Sequence, residues 1–346
     1  MRALVYAGEG RVRLSDVPEP ELAEPGDALL RVTTTAICGS DLHLLHGRIP
    51  GIRPGSVLGH EFAGVVEAVG ASVSRFHAGD RALASFTVPC GACWYCGRGL
   101  FSRCADQRVF GYGAAHGDLG GGQAELVRVP NADLVLHAIE PGLSDERALF
   151  AGDIFSAGLD AAAEARIEAG DTVLVVGCGP VGLMAAMASA TFGPARLLAA
   201  DAVSSRLEAA GRLGAEPLPA DQGLAARVRE RTGGRGADAV LECVGNAQAL
   251  EAALASVRRG GRVSVIGVHT EPEWTLGLGR LFAKAVHLEF CGVANVLGRW
   301  DQALDLIRRG LAEPAAIISH RLPLEEAVAG YHLFESRQAL KVVLTV

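Results

Sequence analysis

The feature that most constrains the fold is a glycine-rich turn between a strand-like run and a helix-like run. The apolar run Thr172–Val176 leads directly into Gly177-Cys178-Gly179-Pro180-Val181-Gly182, after which small and apolar residues continue to Thr191. In this G-x-G-x-x-G spacing, Gly177 permits a tight turn, Gly179 lets the backbone approach a pyrophosphate, and Gly182 lets the helix pack close to the strand. Glycines also make ordinary turns, but the strand–turn–helix context predicts a dinucleotide-binding Rossmann unit.

A carboxylate at the end of the next strand indicates which dinucleotide binds. Asp201 follows the strand-like run Arg196–Ala200. A carboxylate there accepts hydrogen bonds from ribose hydroxyls and repels a 2′-phosphate, which favours NAD over NADP. Asp201 also suits the N-cap of the helix predicted from Ser204, and one residue can serve both purposes.

Two patterns divide the chain. Residues 1–150 contain short β-like runs separated by Gly, Pro and Asp, which predicts a mostly-β domain. From 151 to 290, apolar strands alternate with helical stretches, which predicts an α/β domain with a doubly wound parallel sheet. Residues 291–346 form a separate closing segment with a helix and a final strand. The length of 346 residues suits two domains.

Four cysteines in the predicted β domain indicate a structural metal site. They are Cys90, Cys93, Cys96 and Cys104, in a lobe that covers about 86–110. Four thiolates suit tetrahedral zinc and leave no open position for a substrate. Two disulfides are the alternative, but a long chain without a secretion signal argues against them.

Charge and composition exclude several classes of partner. The net charge is −7 and no basic stripe occurs, so nucleic acid and anionic membranes are not expected partners. The uncharged run from Val173 to Ala190 is interpreted as a strand and a helix rather than a membrane span, because glycines interrupt it. Together with the absence of a signal-type N-terminus, this predicts a cytoplasmic protein with a small-molecule substrate.

Cys38 and His60 form a second candidate metal site. Thiolate and imidazole are both good zinc ligands, and a site with three protein ligands keeps a position for substrate. Either residue alone is more often a core cysteine or a hydrogen-bonded histidine. The residues around them strengthen the prediction: Gly59-His60-Glu61-Phe62-Ala63-Gly64, followed by Gly70 and Val73, resembles the signature of zinc-containing alcohol dehydrogenases.

With the four-cysteine lobe and the glycine turn in the same order, the chain resembles the zinc-dependent medium-chain alcohol dehydrogenases over essentially its whole length. The closest resemblance is to the compact bacterial NAD-dependent enzymes. It implies a GroES-like catalytic domain to which residues 291–346 return, a Rossmann NAD-binding domain, two Zn²⁺ per chain and a homotetramer.

The resemblance also implies roles around the catalytic zinc. Cys38, His60 and Asp153 match its ligands, although many members have cysteine at the third position and an N-cap is the simpler explanation for Asp153. Glu61 matches a carboxylate that lies behind the ligands or replaces the water as fourth ligand. Ser40 and His43 match a proton relay, in which Ser40 takes the alcohol proton and His43 exchanges it with solvent.

The remaining implied contacts concern cofactor and substrate. The cofactor-binding set is Gly177, Gly179, Pro180, Val181, Gly182, Asp201, Arg206 (adenosine side), Val268 (carboxamide) and Lys341 (pyrophosphate). Phe86 matches an aromatic residue of the substrate pocket, although core packing explains it equally well.

The implied reaction is reversible hydride transfer between primary or secondary alcohols and NAD, with zinc as the Lewis acid. One alternative is a polyol, amino-alcohol or threonine dehydrogenase on the same scaffold. Asp153 and the complete cysteine lobe argue against it, because polyol enzymes commonly carry Glu at the third-ligand position. The other alternative is a non-catalytic, quinone-reductase-like NAD-binding protein, but that branch lacks the zinc ligands.

Overall fold

The computed structural model describes residues 1–271 and 273–346 and divides the chain into two compact units. The first unit consists of Met1–Asp153, Asn295–Arg308 and Ala315–Val346, and the second of Ile154–Ala294 and Arg309–Pro314. The boundaries predicted after residues 150 and 290 lie close to these breaks. The closing segment belongs to the first unit, except for residues 291–294 and Arg309–Pro314.

The N-terminal part of the first unit consists mainly of strands. These strands are β1 (Arg2–Gly8), β2 (Arg11–Asp16), β3 (Ala28–Ile37), β4 (Phe62–Val69), β5 (Arg81–Ala84), β6 (Thr87–Val88), β7 (Arg108–Val109), β8 (Leu126–Val129) and β9 (Leu136–Ala138). Two short helices lie between them, α1 (Gly39–Leu45) and α2 (Ala132–Val135), and a third, α3 (Asp145–Leu149), follows β9. The 3₁₀ turns are Cys96–Arg98, Phe101–Arg103, Ala114–His116 and Phe150–Gly152.

The second unit alternates helices and strands. Its helices are α4 (Ile154–Glu164), α5 (Pro180–Ala190), α6 (Ser204–Arg212), α7 (Leu224–Arg231), α8 (Ala247–Ser256) and α9 (Leu278–Lys284). Its strands are β10 (Thr172–Val176), β11 (Arg196–Asp201), β12 (Glu216–Pro219), β13 (Ala237–Glu242), β14 (Val257–Val265) and β15 (His287–Phe290). They form one parallel sheet in the order β12-β11-β10-β13-β14-β15, the order of a Rossmann fold.

The C-terminal segment completes the sheet of the first unit. It contains α10 (Val296–Arg308), β16 (His320–Pro323), α11 (Ala327–Glu335) and β17 (Val342–Thr345), with 3₁₀ turns at Pro314–Ile317 and Leu324–Glu326. β17 lies between β16 and β3 in a sheet of order β16-β17-β3-β4-β5-β9, and β8 also pairs with β3. The last strand of the chain therefore borders β3, which ends immediately before Cys38.

Apolar side chains account for these layers. In the second unit the β10 strand is buried at every position, as expected for a parallel strand covered by helices on both faces. The uncharged run from Val173 divides between β10 and α5, as predicted. Among the described residues, no helix is both long enough and apolar enough to cross a membrane.

Candidate active site

Four side chains of the first unit converge on one buried point. The ligand atoms of Cys38, His60, Glu61 and Asp153 all lie within 4.8 Å of one another, and all four residues are buried. The Cys38 Sγ atom is 3.9 Å from Asp153 Oδ2, and the His60 Nε2 atom is 3.2 Å from the same oxygen. Sulfur, imidazole nitrogen and carboxylate oxygen are the donor types that zinc accepts. The residues therefore fit the metal that the sequence predicts there, and the group is called the Cys38 group below.

Chain topology brings these ligands together from distant segments. Cys38 follows β3 and is the N-cap of α1. His60 and Glu61 immediately precede β4, which pairs with β3 in an antiparallel manner. Asp153 follows the 3₁₀ turn Phe150–Gly152, and the carbonyl of Gly152 accepts a hydrogen bond from the N–H of Phe86 at 3.1 Å.

Asp41 orients His60, a role that the sequence interpretation missed. The His60 Nδ1 atom lies 3.2 Å from Asp41 Oδ1, and both side chains are buried. The other carboxylate oxygen, Oδ2, accepts the N–H of Cys38 at 3.0 Å. A carboxylate behind a histidine ligand fixes its ring orientation and raises its basicity. The detectable signal was the capping-box spacing Cys38-x-x-Asp41.

Two of the predicted proton-transfer residues lie on α1. The Ser40 Oγ atom is 3.3 Å from His60 Nε2, which places the hydroxyl beside the Cys38 group. His43 is half-buried, and its Nδ1 atom has no hydrogen-bond partner among the described residues. Burial, and then the charge of Arg48, lower the pKa of His43. The ring is therefore neutral near pH 7 and able to accept a proton.

Two aromatic rings surround His60. The Phe86 ring centroid lies 6.1 Å from that of His60, and the Tyr112 centroid lies 5.4 Å from it in an edge-on arrangement. Burial raises the pKa of Tyr112, so its hydroxyl stays protonated. Sequence reasoning suggested Phe86 but missed Tyr112, which lies in a loop without a recognisable motif.

Lys341 is not placed as the resemblance implies. Its side chain is fully buried, and its ammonium donates to the two carboxylate oxygens of Glu61 at 2.6 and 2.8 Å. It also donates to the carbonyl oxygen of Ile37 at 3.1 Å. Burial alone would lower the pKa of Lys341, but the negative charge of the facing Glu61 raises that pKa overall. An ammonium with these partners and no exposed surface is a buried counter-ion rather than a pyrophosphate contact.

The four cysteines of the predicted lobe also converge. Their sulfur atoms lie within 4.8 Å of one another, and all eight cysteines of the chain are free thiols. Tetrahedral zinc with bonds of about 2.3 Å requires S–S separations of about 3.8 Å, and the Cys93–Cys96 sulfur distance is 3.5 Å. The backbone N–H of Cys96 lowers the pKa of Cys93 to about 6, whereas burial raises the pKa of Cys96 to about 12.

The glycine turn of the second unit has the expected backbone. Gly177 adopts φ +94°, a conformation that favours glycine. A Cβ atom on Gly182 would lie 1.8 Å from the Gly177 carbonyl oxygen, so no side chain fits there. A Cβ atom on Gly179 would meet nothing nearer than the Arg206 Nη1 atom at 3.9 Å. Gly179 is the N-cap of α5 and Pro180 lies in its first turn, so helix N–H groups face this open side.

Asp201 supports the glycine turn directly. Its Oδ2 atom accepts the N–H of Cys178 at 2.7 Å, and its Oδ1 atom accepts the N–H of Val203 at 2.8 Å. The N-cap of α6 is Val203 rather than Asp201, so the capping explanation is wrong. The Arg206 Nη1 atom lies 3.9 Å from Asp201 Oδ2, which places both predicted adenosine-side residues together.

A buried glutamate joins two further turns at the carboxyl edge of the sheet, and sequence reasoning missed it. Glu242 ends β13, and its Oε1 atom accepts the N–H groups of Val244 and Gly245 at 2.8 and 2.9 Å. Its Oε2 atom lies 3.3 Å from His269 Nε2. His269 follows Val268, whose side chain is exposed as a cofactor contact requires. Ligands of open α/β sheets bind at this edge.

Comparison with known proteins identifies the family. Residues 24–139 match the alcohol dehydrogenase GroES-like domain, and residues 180–309 match the zinc-binding dehydrogenase family. Zinc-type alcohol dehydrogenase B of Aspergillus flavus is 38% identical over 353 residues, which cover 99% of this chain and 81% of that protein. The chain belongs to the zinc-dependent medium-chain alcohol dehydrogenase family.

Solved structures of alcohol dehydrogenases superpose closely on this chain. The alcohol dehydrogenase TADH from Thermus sp. ATN1 has a TM-score of 0.96 and 45% identity, with 100% of both chains covered. An NAD-dependent alcohol dehydrogenase has a TM-score of 0.88 and 29% identity, again with 100% of both chains covered. The predicted fold class, a Rossmann domain with a GroES-like domain, is confirmed. The protein is an oxidoreductase of the family whose cofactors are zinc and a nicotinamide dinucleotide.

Proposed function

We propose that this alcohol dehydrogenase oxidises small primary or secondary alcohols reversibly, with NAD as the hydride acceptor and one zinc ion in the Cys38 group. The observation that carries the proposal is the buried convergence of Cys38, His60, Glu61 and Asp153 within 4.8 Å. The complete four-cysteine lobe and an aspartate at position 153 favour an alcohol over a polyol as substrate.

The residues of the Cys38 group divide the work of the reaction. Cys38, His60 and Asp153 would hold the zinc, which when bound supplies a Lewis acid that acidifies a hydroxyl group. Ser40, with its hydroxyl 3.3 Å from His60 Nε2, would accept the substrate proton. His43, which is neutral near pH 7, would pass that proton to solvent. Phe86 and Tyr112 would form apolar walls that exclude water from the substrate.

The cofactor preference is proposed from Asp201. Each oxygen of its carboxylate already accepts one backbone N–H, but each retains a lone pair for a ribose hydroxyl. Its negative charge disfavours a 2′-phosphate, so NAD is the expected cofactor. Arg206 would contact the adenosine side, and Val268 the carboxamide.

We also propose that the enzyme is a cytoplasmic homotetramer. The feature that supports self-association is the edge strand β15 of the six-stranded sheet, whose Phe290 is 52% exposed. Phe282 on the preceding helix α9 is 89% exposed. An edge strand with exposed aromatic neighbours is suited to pairing with another copy. Size-exclusion chromatography with light scattering tests the tetramer.

The decisive experiment combines metal analysis with an activity screen. The purified enzyme should contain two zinc ions per chain and form NADH from ethanol, longer alcohols or cyclohexanol more efficiently than from sorbitol or threonine. Cys38→Ser should lose one zinc and all turnover while it still binds NAD. The matched control is Cys291→Ser, which changes a buried cysteine outside both metal groups. Turnover at the wild-type rate in purified Cys38→Ser would refute the proposal.

A further inference from the structure

We propose that Gln123 and Tyr331 are positioning residues that set the tautomer of His60 through Asp41, so that His60 Nε2 is ready to bind metal. The proposal depends on the proposed function in one respect: it requires zinc in the Cys38 group. All four residues belong to the first unit.

The side chain of Gln123 links these groups by hydrogen bonds. Its Nε2 atom donates to the carbonyl oxygen of Ala36 at 3.0 Å and to Asp41 Oδ2 at 3.4 Å. Its Oε1 atom accepts a hydrogen bond from the Tyr331 hydroxyl at 2.9 Å. Gln123 is fully buried and Tyr331 is 3% exposed, so water does not compete for these bonds.

Gln123 has little freedom to move. Its backbone N–H donates to the carbonyl of Leu58 at 2.9 Å, and its carbonyl accepts the N–H of Leu4 at 2.8 Å. A Cβ atom on Gly59 would lie 2.4 Å from Gln123 Cγ. The glycine before His60 therefore provides the space that the glutamine occupies.

The partners of Gln123 fix the orientation of its amide. The Ala36 carbonyl and the Asp41 carboxylate only accept hydrogen bonds, so the NH₂ group must face them. The Oε1 atom then faces Tyr331, which must donate. Burial raises the pKa of Tyr331, so this hydroxyl keeps its proton. A flipped amide would place two acceptors against each other.

This orientation leaves one oxygen of the Asp41 carboxylate facing His60. The Oδ2 atom of Asp41 is occupied by Gln123 and by the N–H of Cys38. The Oδ1 atom faces His60 Nδ1 at 3.2 Å without the alignment of a hydrogen bond, and neither atom has a hydrogen-bond partner in the described part of the chain. The Nε2 atom lies 3.2 Å from Asp153 Oδ2 and so faces the other ligands of the Cys38 group. A zinc ion in this group would take the Nε2 lone pair, so Nδ1 would carry the hydrogen, and Asp41 Oδ1 is the acceptor placed opposite it.

The test measures the zinc affinity of the Cys38 group by competition with a chromogenic chelator. This measurement does not depend on enzyme activity. Gln123→Leu should weaken zinc binding there about tenfold, and Tyr331→Phe about threefold. Zinc at the four cysteines should be unaffected. Tyr6→Phe is the matched control, because Tyr6 packs against the same hydrophobic cluster as Tyr331, and it should change neither affinity. Co²⁺-loaded variants should show an altered visible spectrum only when Gln123 or Tyr331 is changed.

The double variant separates a positioning role from general destabilisation. If Tyr331 acts through Gln123, adding Tyr331→Phe to Gln123→Leu should have no further effect on zinc affinity, whereas independent effects would add. Additive losses, or zinc affinities within twofold of wild type, would overturn the proposal. Tyr331→Phe keeps the aromatic ring and supplies the measurement if Gln123→Leu does not fold. A wild-type protein with zinc only at the four cysteines would instead refute the proposed function.

Discussion

Replacing Lys341 by methionine should strongly destabilise the protein, because Glu61 would lose its cation. Both side chains have no exposed surface. The ammonium lies 2.6 and 2.8 Å from the two carboxylate oxygens and 3.1 Å from the Ile37 carbonyl oxygen. Methionine has a similar length, so the change removes the charge and three hydrogen bonds with little change in packing. Removing one partner of a buried ion pair costs about 3–5 kcal/mol.

The size of this loss should depend on metal. The ligand oxygen of Glu61 lies within 4.8 Å of the other ligand atoms of the Cys38 group, so zinc there would supply a second positive charge near the carboxylate. We therefore expect the full loss of about 3–5 kcal/mol in chelator-treated Lys341→Met. The loss should be smaller in the zinc-loaded variant.

Equilibrium unfolding in urea, with and without zinc, measures both values. Lys284→Met is the control, because the Lys284 ammonium donates to the backbone carbonyls of Leu254 and Ala255 and to no carboxylate among the described residues. This control substitution should lower the free energy of unfolding by about 1 kcal/mol. The double variant Lys341→Met/Glu61→Leu should recover to within about 2 kcal/mol of wild type, because no unpaired charge remains. A chelator-treated Lys341→Met protein within about 1 kcal/mol of wild type would refute this reasoning.

Three further predictions concern other parts of the molecule. Cys93→Ser should reduce zinc content from two ions to one and lower the melting temperature more than kcat, and an unchanged melting temperature would contradict the structural role of the lobe. Asp201→Gly should raise the NADP-to-NAD ratio of kcat/KM about tenfold, because a charge that repels the 2′-phosphate by about 1–3 kcal/mol is removed while Arg206 remains; an unchanged ratio would exclude Asp201 as the selector. Because burial holds the pKa of His43 below its unfolded value, the unfolded chain binds more protons, and stability should fall as pH decreases through about 6.5. In urea unfolding, the free energy of unfolding of His43→Gln should fall less between about pH 7.5 and 5 than that of wild type. A pH profile identical to that of wild type would count against a lowered pKa of His43.

The parts of the fold that sequence could predict are those set by local patterns. The glycine turn and the alternating strands and helices of the second unit depend on neighbouring residues, and they appear where expected. Strand β4 begins only at Phe62, although the β-like pattern of the sequence starts at Val57. Gly59 adopts φ +93° against Gln123, and no local pattern reveals a contact with a residue so distant in sequence.

In the site as well, local patterns could be predicted and contacts between distant residues could not. Local motifs pointed to the ligands Cys38 and His60, and the family resemblance to Asp153; the structure brings all three together. Much of the support behind them escaped prediction because its contacts join distant residues, as in the Tyr331–Gln123 and Lys341–Glu61 hydrogen bonds, which span 208 and 280 positions. The pyrophosphate role predicted for Lys341 was inferred from its place in the family pattern, which says nothing about a buried carboxylate nearby.

The position of β17 beside β3 has a consequence for biosynthesis. A ribosome makes Cys38, His60 and Asp153 long before it makes Tyr331 and Lys341, which follow Asp153 by 178 and 188 residues. Until then Glu61 has no cation and the sheet lacks the strand next to β3. A nascent polypeptide therefore displays zinc-binding groups long before it can close around them, and termination of synthesis before residue 331 would yield a product with the ligands but without their support.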